Sequence, residues 1–176
     1  MKNKKGLIIA LAVIAVIVIF AGSIVSSYNS LVDERETVTN AQANIQTMLQ
    51  RRADLIPNLV NTVKGYAAHE EEVYTAIADA RSKLSGATTV DEMEKANSEL
   101  DSAISRLLVV VENYPELKAD TQFINLQDEL AGSENRISVA RKDYNDVAKA
   151  YNTHIKKFPA NIIASMFNFE QAEYFL

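Results

Sequence analysis

The sequence of 176 residues contains no cysteine and no tryptophan, and it has only five glycines and three prolines. Without cysteine the chain can form neither disulfides nor thiolate metal sites. Scarce glycine and proline favour long helices, because these two residues most readily interrupt regular backbone structure. No glycine-rich phosphate loop and no nucleophile–base–acid set is visible. We therefore expect a non-enzymatic helical protein with no catalytic residues, no bound metal and no cofactor.

Positive charge is also scarce outside the first residues. The formal net charge is −5, and Lys2, Lys4 and Lys5 supply three of the positive charges, which leaves −8 on the rest of the chain. An acidic surface is repelled by phosphate backbones. This charge balance excludes nucleic acid as an expected partner.

One long stretch without charge, residues 7–25, follows these lysines. At about 1.5 Å per residue, its 19 residues form a helix of roughly 28 Å, close to the thickness of a hydrocarbon core. A buried core helix is disfavoured because the stretch is apolar on every face. A cleaved signal peptide is the alternative, since small residues occupy positions 21–23, although the apolar run is longer than such peptides usually have. We favour an uncleaved single-pass anchor over residues 1–26 and a helical body over residues 27–176.

The charges that flank this stretch predict its orientation. Lysines precede it, whereas residues 33–36 after it hold three acids and one arginine. The positive-inside rule then places the N-terminus in the cytoplasm and the body outside.

Apolar residues of the body recur at helical spacing from Tyr28 nearly to the end. A first helix is predicted over about residues 26–53, with nothing to separate it from the anchor. Asp54 and Pro57 suit the first turn of a helix. We therefore expect a tight turn at Pro57 and a second helix that ends near Leu84, with Gly86 as its stop; a kink within one long helix is the alternative.

Two further helices complete the body. Thr89, followed three residues later by Glu92, forms a capping box that starts the third helix. The fourth is predicted over about residues 115–157, with Gly132 and Ser133 as a place where it can break or kink. Four amphipathic helices with short connections predict an all-α fold, in which the anchor is followed by an antiparallel up-and-down four-helix bundle with coiled-coil packing between long helices.

The pair His69-Glu70 invites comparison with the zinc-protease signature H-E-x-x-H. That signature needs a second histidine four residues after the first, so that both imidazoles reach one metal from one helix face. Val73 occupies that position. We interpret His69 as an exposed residue without a metal.

Several polar residues fall on the apolar stripes and are candidates for a structural polar core. Arg52, Glu70 and Arg141 each lie at the helical spacing of buried neighbours. A buried charge is costly unless it is paired. We hypothesise a polar layer that joins Glu70 to one of the two arginines. Tyr-Asn pairs seven residues apart add Asn145 and Asn152, whose side chains can fix register by hydrogen bonding.

The last segment, residues 158–176, is too apolar for a typical disordered terminus. It either folds back to cap the bundle or contacts a partner, a second copy or a membrane surface. The candidate contact residues are Phe158, Met166, Phe167, Phe169, Tyr174 and Phe175.

Segments throughout the body together resemble the LemA family. They are Y-N-S-L-V at 28–32, A-Q-A-N-I at 41–45, Q-R-R-A-D-L-I-P-N-L-V at 50–60, V-K-G-Y at 63–66, H-E at 69–70, E-N-R-I at 134–137, A-R at 140–141, Y-N at 144–145 and 151–152, F-P-A-N-I-I-A at 158–164, and the aromatic run from 166–167 to 174–175. The resemblance implies a membrane-anchored bacterial protein with an N-terminal transmembrane segment and a bundle of long helices. It implies no particular activity.

Three functions follow from these observations. The leading hypothesis is a non-catalytic envelope protein, held in the bacterial cytoplasmic (inner) membrane by one span, that scaffolds or self-assembles through protein contacts. The first alternative is an accessory or sensor subunit for a membrane enzyme such as an envelope protease. The second is a ligand- or metal-responsive bundle with a pocket near Glu70. The expected partners are the membrane, further copies of the chain and another envelope protein.

Overall fold

The computed structural model of the chain describes residues 2–176, with side chains described from residue 6 onward. Six helices occupy this part: α1 (Lys2–Lys64), α2 (Glu71–Gly86), α3 (Val90–Val111), α4 (Pro115–Lys118), α5 (Thr121–His154) and α6 (Ala160–Met166). Helix accounts for 83 % of the chain, and the described residues form no strand. The all-α prediction is confirmed.

The predicted turn at Pro57 is wrong, because α1 continues through this proline to Lys64. A proline inside a helix has no N–H to donate to the carbonyl four residues earlier, here that of Ala53. Arg81 of α2 supplies the missing donor, and its Nε–H donates to the Ala53 carbonyl oxygen at 2.9 Å. A side chain from another helix therefore satisfies the carbonyl that the proline leaves without a partner.

This substitution of donors can be tested with a double-mutant cycle. Arg81→Met should lower the free energy of unfolding by about 1–2 kcal/mol, because a partly buried carbonyl loses a charged donor. In a Pro57→Ala background the loss should shrink, since an alanine brings its own backbone N–H to this position, and the coupling should be about 1 kcal/mol. Urea unfolding of the full chain in mild detergent measures all four proteins. Lys83→Met, which removes an exposed cation from the same helix, is the control; a coupling of zero would contradict this role of Arg81.

The predicted second helix also begins later than expected. Residues 65–70 form a loop between α1 and α2. The Tyr74 hydroxyl donates to the Ala67 carbonyl oxygen and so holds this loop against the start of α2. Val63, Ala67 and Tyr74 are all buried. The apolar stripe thus runs through the loop, which explains why periodicity alone predicted one continuous helix.

The capping box of α3 is confirmed, with the Thr89 hydroxyl accepting from the Glu92 N–H and the Glu92 carboxylate accepting from the Thr89 N–H. The predicted fourth helix is divided into α4 and α5. Asp120 causes the division, because its carboxylate accepts the Phe123 N–H at 2.9 Å and so starts a new helix. Two hydrogen bonds lower the pKa of the Asp120 carboxyl: the larger effect comes from the Phe123 N–H and the next from the Tyr66 hydroxyl. Beyond it, α5 runs unbroken through residues 132–133.

The chain forms two compact units. The first comprises Met1–Thr39 and Val147–Ala172, and the second comprises Asn40–Asp146 and Glu173–Leu176. In the second unit, buried apolar stripes come from residues 45–63 of α1, from α2, from α3 and from residues 123–144 of α5. The up-and-down order of a four-helix bundle and coiled-coil packing stay predictions. In the first unit, the core residues are Leu31, Val38, Ala148, Tyr151, Ile155, Ala160, Ile163, Ala164 and Phe169.

Candidate functional sites

Arg52 lies at the centre of a buried polar cluster in the second unit. Its side chain is only 6 % exposed. Nη1 donates to Asn97 Oδ1 at 2.6 Å and lies 2.7 Å from Glu134 Oε2, while Nη2 pairs with the Asp101 carboxylate. The two carboxylates remain 45 % and 41 % exposed. The cluster therefore links α1, α3 and α5 through one buried cation.

The expected pairing of Glu70 with one of the arginines is wrong. Glu70 belongs to the loop before α2 and is half-buried, and among the described residues it forms no ion pair. The loop removes Glu70 from the helical stripe that its spacing suggested. Its charge acts instead on Tyr74, whose pKa is raised by burial first and by Glu70 second. His69 is exposed in the same loop.

Arg141 contributes to a second cluster, which binds the end of the chain. Its Nη2 lies 3.7 Å from Glu94 Oε1 and donates to the Leu176 carbonyl oxygen at 3.1 Å. Its guanidinium carbon lies 5.3 Å from the centre of the Phe175 ring. A cation over an aromatic face is attracted by the ring quadrupole. Arg141 thus holds residues 175–176 by a hydrogen bond and by a cation–π contact.

Asn145 and Tyr144 hold the main chain of the same segment. Asn145 Nδ2 donates to the Phe175 carbonyl oxygen at 2.8 Å, and Asn145 Oδ1 accepts the Phe175 N–H at 2.9 Å. The Tyr144 hydroxyl donates to the Glu173 carbonyl oxygen at 2.8 Å. Burial, followed by the Glu173 charge, raises the pKa of Tyr144. One side-chain amide that satisfies both polar groups of a residue fixes the register of an extended segment on a helix.

The Phe175 ring completes this site. It packs edge-on against Tyr144, with ring centroids 5.2 Å apart. It also lines a small hollow with Ile45, Leu49 and Met93. We name Glu173–Leu176 and its contacts on α5 the end-segment site.

Asn152 repeats the same two-bond pattern in the first unit. Its Nδ2 donates to the Ala172 carbonyl oxygen at 2.8 Å, and its Oδ1 accepts the Ala172 N–H at 2.8 Å. The side chain is buried. Asn145 and Asn152 therefore both bind main-chain atoms of residues 172–175.

The turn after α6 directs the chain toward these contacts. Asn168 has a positive φ of 55°, a backbone conformation that asparagine tolerates better than most residues. The Phe169 N–H donates to the Ala164 carbonyl oxygen at 2.9 Å, the six-to-one bond of a Schellman motif. Phe169 is thereby turned inward, with its ring centroid 5.7 Å from that of Tyr28.

The six aromatic and methionine residues proposed as contacts fall into two groups. Phe169 and Phe175 are buried in their own units. Phe158, Met166, Phe167 and Tyr174 are exposed.

One polar pair of the first unit had no signal in the sequence. His154 Nδ1 lies 2.8 Å from Glu34 Oε1, and both side chains are about one third exposed. The two residues are 120 positions apart, so no local spacing could link them. Among the described residues, no three or more histidine, cysteine, aspartate or glutamate side chains are grouped to hold a metal ion.

Comparison with known proteins gives consistent matches over most of the chain. A family model described as the LemA family matches residues 41–176. Two relatives from Paramagnetospirillum magneticum, named magnetosome protein MamQ 1 and MamQ 2, are 29 % identical over 97 % of this chain and 73 % of their own length. Protein LemA of Metamycoplasma hominis is 30 % identical over 77 % of this chain and 63 % of its own length.

Proposed function

Because the chain belongs to the LemA family, we propose that it is a membrane-anchored protein of non-catalytic type that acts through protein–protein contacts at the membrane. It scaffolds or self-assembles there, with its helical body as the contact surface. Three of its relatives are named magnetosome proteins.

The apolar beginning of α1 is the observation that carries the membrane anchor. Most of the large apolar side chains between residues 7 and 25 are 52–71 % exposed. It is the one helix of the described chain that is long and apolar enough to cross a membrane. So much contiguous apolar surface in water is strongly unfavourable, and a lipid bilayer removes it from water.

The bacterial cytoplasmic (inner) membrane is the proposed location, with the N-terminus in the cytoplasm and the body outside. The lysines at positions 2, 4 and 5 support this orientation. The acidic body supports contact with proteins rather than with nucleic acid.

Single cysteines test anchor and orientation together, because the chain has no native cysteine. Asn3→Cys probes the first residues, and Ser82→Cys probes an exposed position of α2. Both variants should resist extraction from membranes by alkaline carbonate. In intact cells whose outer barrier is permeable, a maleimide that cannot cross the cytoplasmic membrane should label Ser82→Cys and should reach Asn3→Cys only after detergent is added.

A chain that lacks residues 2–25 is the matched control and should leave the membrane in the carbonate wash. Extraction of the full chain under the same conditions would contradict the anchor. Labelling of Asn3→Cys with protection of Ser82→Cys would contradict the orientation and leave the anchor intact.

A further inference from the structure

Residues 158–167 in the first unit expose a concentrated apolar surface. Phe158 is 79 % exposed, Ile162 51 %, Met166 68 % and Phe167 50 %. We name these four residues the apolar rim. Apart from Tyr174 and Leu176, the other large apolar residues that are exposed in the body, such as Val109 and Val139, are far apart in the sequence, as is common on protein surfaces. Four such side chains within ten positions mark an interaction surface.

Rotating α6 about its axis would not reduce the exposed apolar surface, because the opposite side of this helix is also apolar. Ala160, Ile163 and Ala164 are buried in the first unit. The Schellman bond from the Phe169 N–H to the Ala164 carbonyl oxygen ends α6 in this orientation. Asn161 and Ser165 are exposed on the outer side of α6 together with Ile162 and Met166. Because both sides of the helix carry large apolar side chains, packing within the first unit leaves Ile162 and Met166 uncovered.

Contact with α1 gives the rim a defined place beside the membrane span. The Phe167 and Tyr28 rings pack edge-on, with their centroids 4.8 Å apart. Tyr28 follows Val25, the last residue of the apolar run, by three positions, or about 4.5 Å along a helix. The headgroup region extends roughly 5–7 Å beyond the hydrocarbon core on each side of a bilayer. Tyr28 and Phe167 therefore lie at headgroup depth when α1 crosses the membrane, the level at which aromatic residues are enriched.

Charge next to the rim agrees with this placement. Lys156 and Lys157 immediately precede Phe158, and both are exposed. Cationic side chains beside an interfacial apolar surface are attracted to anionic lipid headgroups. Although the body as a whole is acidic, the residues directly before the rim are basic.

We propose that the apolar rim inserts into the interfacial region of the bilayer that α1 crosses, so that the body is bound to the membrane at a second place beside its span. This inference rests on the proposed membrane anchor. Its occupant is the lipid bilayer rather than a protein. Such a contact restrains the tilt of the first unit relative to the membrane surface, because two attachments restrict a motion that one helix permits.

Tryptophan fluorescence provides a direct test, because the chain has no native tryptophan. Met166→Trp and Phe158→Trp each place a single indole in the rim of the full chain, and Ser82→Trp places one at an exposed position of α2. The three proteins are reconstituted in phosphatidylcholine liposomes, with and without phosphatidylglycerol. Lipids brominated near the headgroup end of their acyl chains should quench both rim positions several-fold more than Ser82→Trp, with a blue-shifted emission. Phosphatidylglycerol should increase this quenching, and Lys156→Gln with Lys157→Gln should remove the increase.

The outcomes separate this inference from the anchor on which it rests. Protein that floats with the liposomes, while both rim tryptophans are quenched no more than Ser82→Trp, would overturn the rim contact and leave the anchor standing. If the emission of the rim tryptophans is blue-shifted only at high protein density and is not quenched by brominated lipid, the occupant is a second copy of the chain. That result would also overturn the contact between the rim and the bilayer. Protein that fails to float with liposomes would overturn the anchor itself.

Discussion

Phe175→Ala is expected to lower the free energy of unfolding by about 3 kcal/mol, near the lower end of the range for truncation of a buried phenylalanine. The side chain is 5 % exposed, and its removal takes away the packing with Tyr144 and the cation–π contact with Arg141. The effect should stay near the lower end because Phe175 lies in a segment that belongs to no helix, so its loss breaks no helical hydrogen bond. Urea unfolding of the full chain in mild detergent, followed by far-ultraviolet circular dichroism, measures the loss.

The neighbouring residue provides a matched control. Leu176 is 98 % exposed, so Leu176→Ala should change stability by less than about 0.5 kcal/mol. Asn145→Ala tests the main-chain contribution separately and should cost about 1–3 kcal/mol, because both polar groups of Phe175 lose a partner. Equal stability of Phe175→Ala and Leu176→Ala would show that the end-segment site does not stabilise the protein.

The second large effect is expected at Arg52. The double substitution Asp101→Asn with Glu134→Gln leaves a buried guanidinium without a carboxylate and should cost about 3 kcal/mol. Arg52→Met should cost less, about 2 kcal/mol, because water can solvate the two half-exposed carboxylates that remain. That loss comes from Asn97, which stays buried and loses its donor, and from the buried Glu134 Oε2, which loses its ion-pair partner. The order of the two losses distinguishes a buried cation from an ordinary surface pair.

The exposed pair Lys83–Glu99 calibrates this experiment. Its side chains are 61 % and 49 % exposed, and Glu99→Gln should change the free energy of unfolding by less than about 0.5 kcal/mol. If the double substitution at Asp101 and Glu134 also falls within that limit, the Arg52 cluster has no structural role.

Local sequence patterns predicted the parts of this fold that depend on residues close together in the chain. The capping box at Thr89 and the burial of Arg52 both follow from local spacing, and the structure has both. The partners of Arg52 could not be predicted, because they depend on how far one helix is shifted along another. Asp101 and Glu134 lie 49 and 82 residues away in the sequence, and no local pattern links them to α1.

The same limit explains why the predicted turn at Pro57 is wrong. A proline leaves one carbonyl without a helical donor, and the sequence around it gives no sign that a distant side chain supplies another. Arg81, 28 residues from Ala53, makes the uninterrupted helix possible. The segment 50–60 carries the most specific part of the family resemblance. It contains the buried cation Arg52, and it also contains Pro57, whose missing hydrogen bond is replaced by the bond from Arg81 of α2.

For the end of the chain, the sequence left two interpretations open, and the structure shows which of its residues pack inward and which stay exposed. Asn152 binds Ala172 in the first unit, and Asn145 binds Phe175 in the second. The apolar rim faces outward from the first unit. Apolar composition alone could not separate these groups, because an inward and an outward aromatic residue look alike in a sequence.

Cross-linking in intact membranes tests the central claim most directly. A lysine-reactive reagent is applied to membranes that contain the full chain, and the masses of the adducts are determined at normal and at reduced expression. If the protein is a scaffold whose copies contact one another, we expect a ladder of adducts at multiples of the chain mass, and this ladder should persist at reduced expression. A single adduct with one foreign protein would instead identify an accessory subunit. Recovery of the chain without any adduct would contradict a role in protein–protein contact.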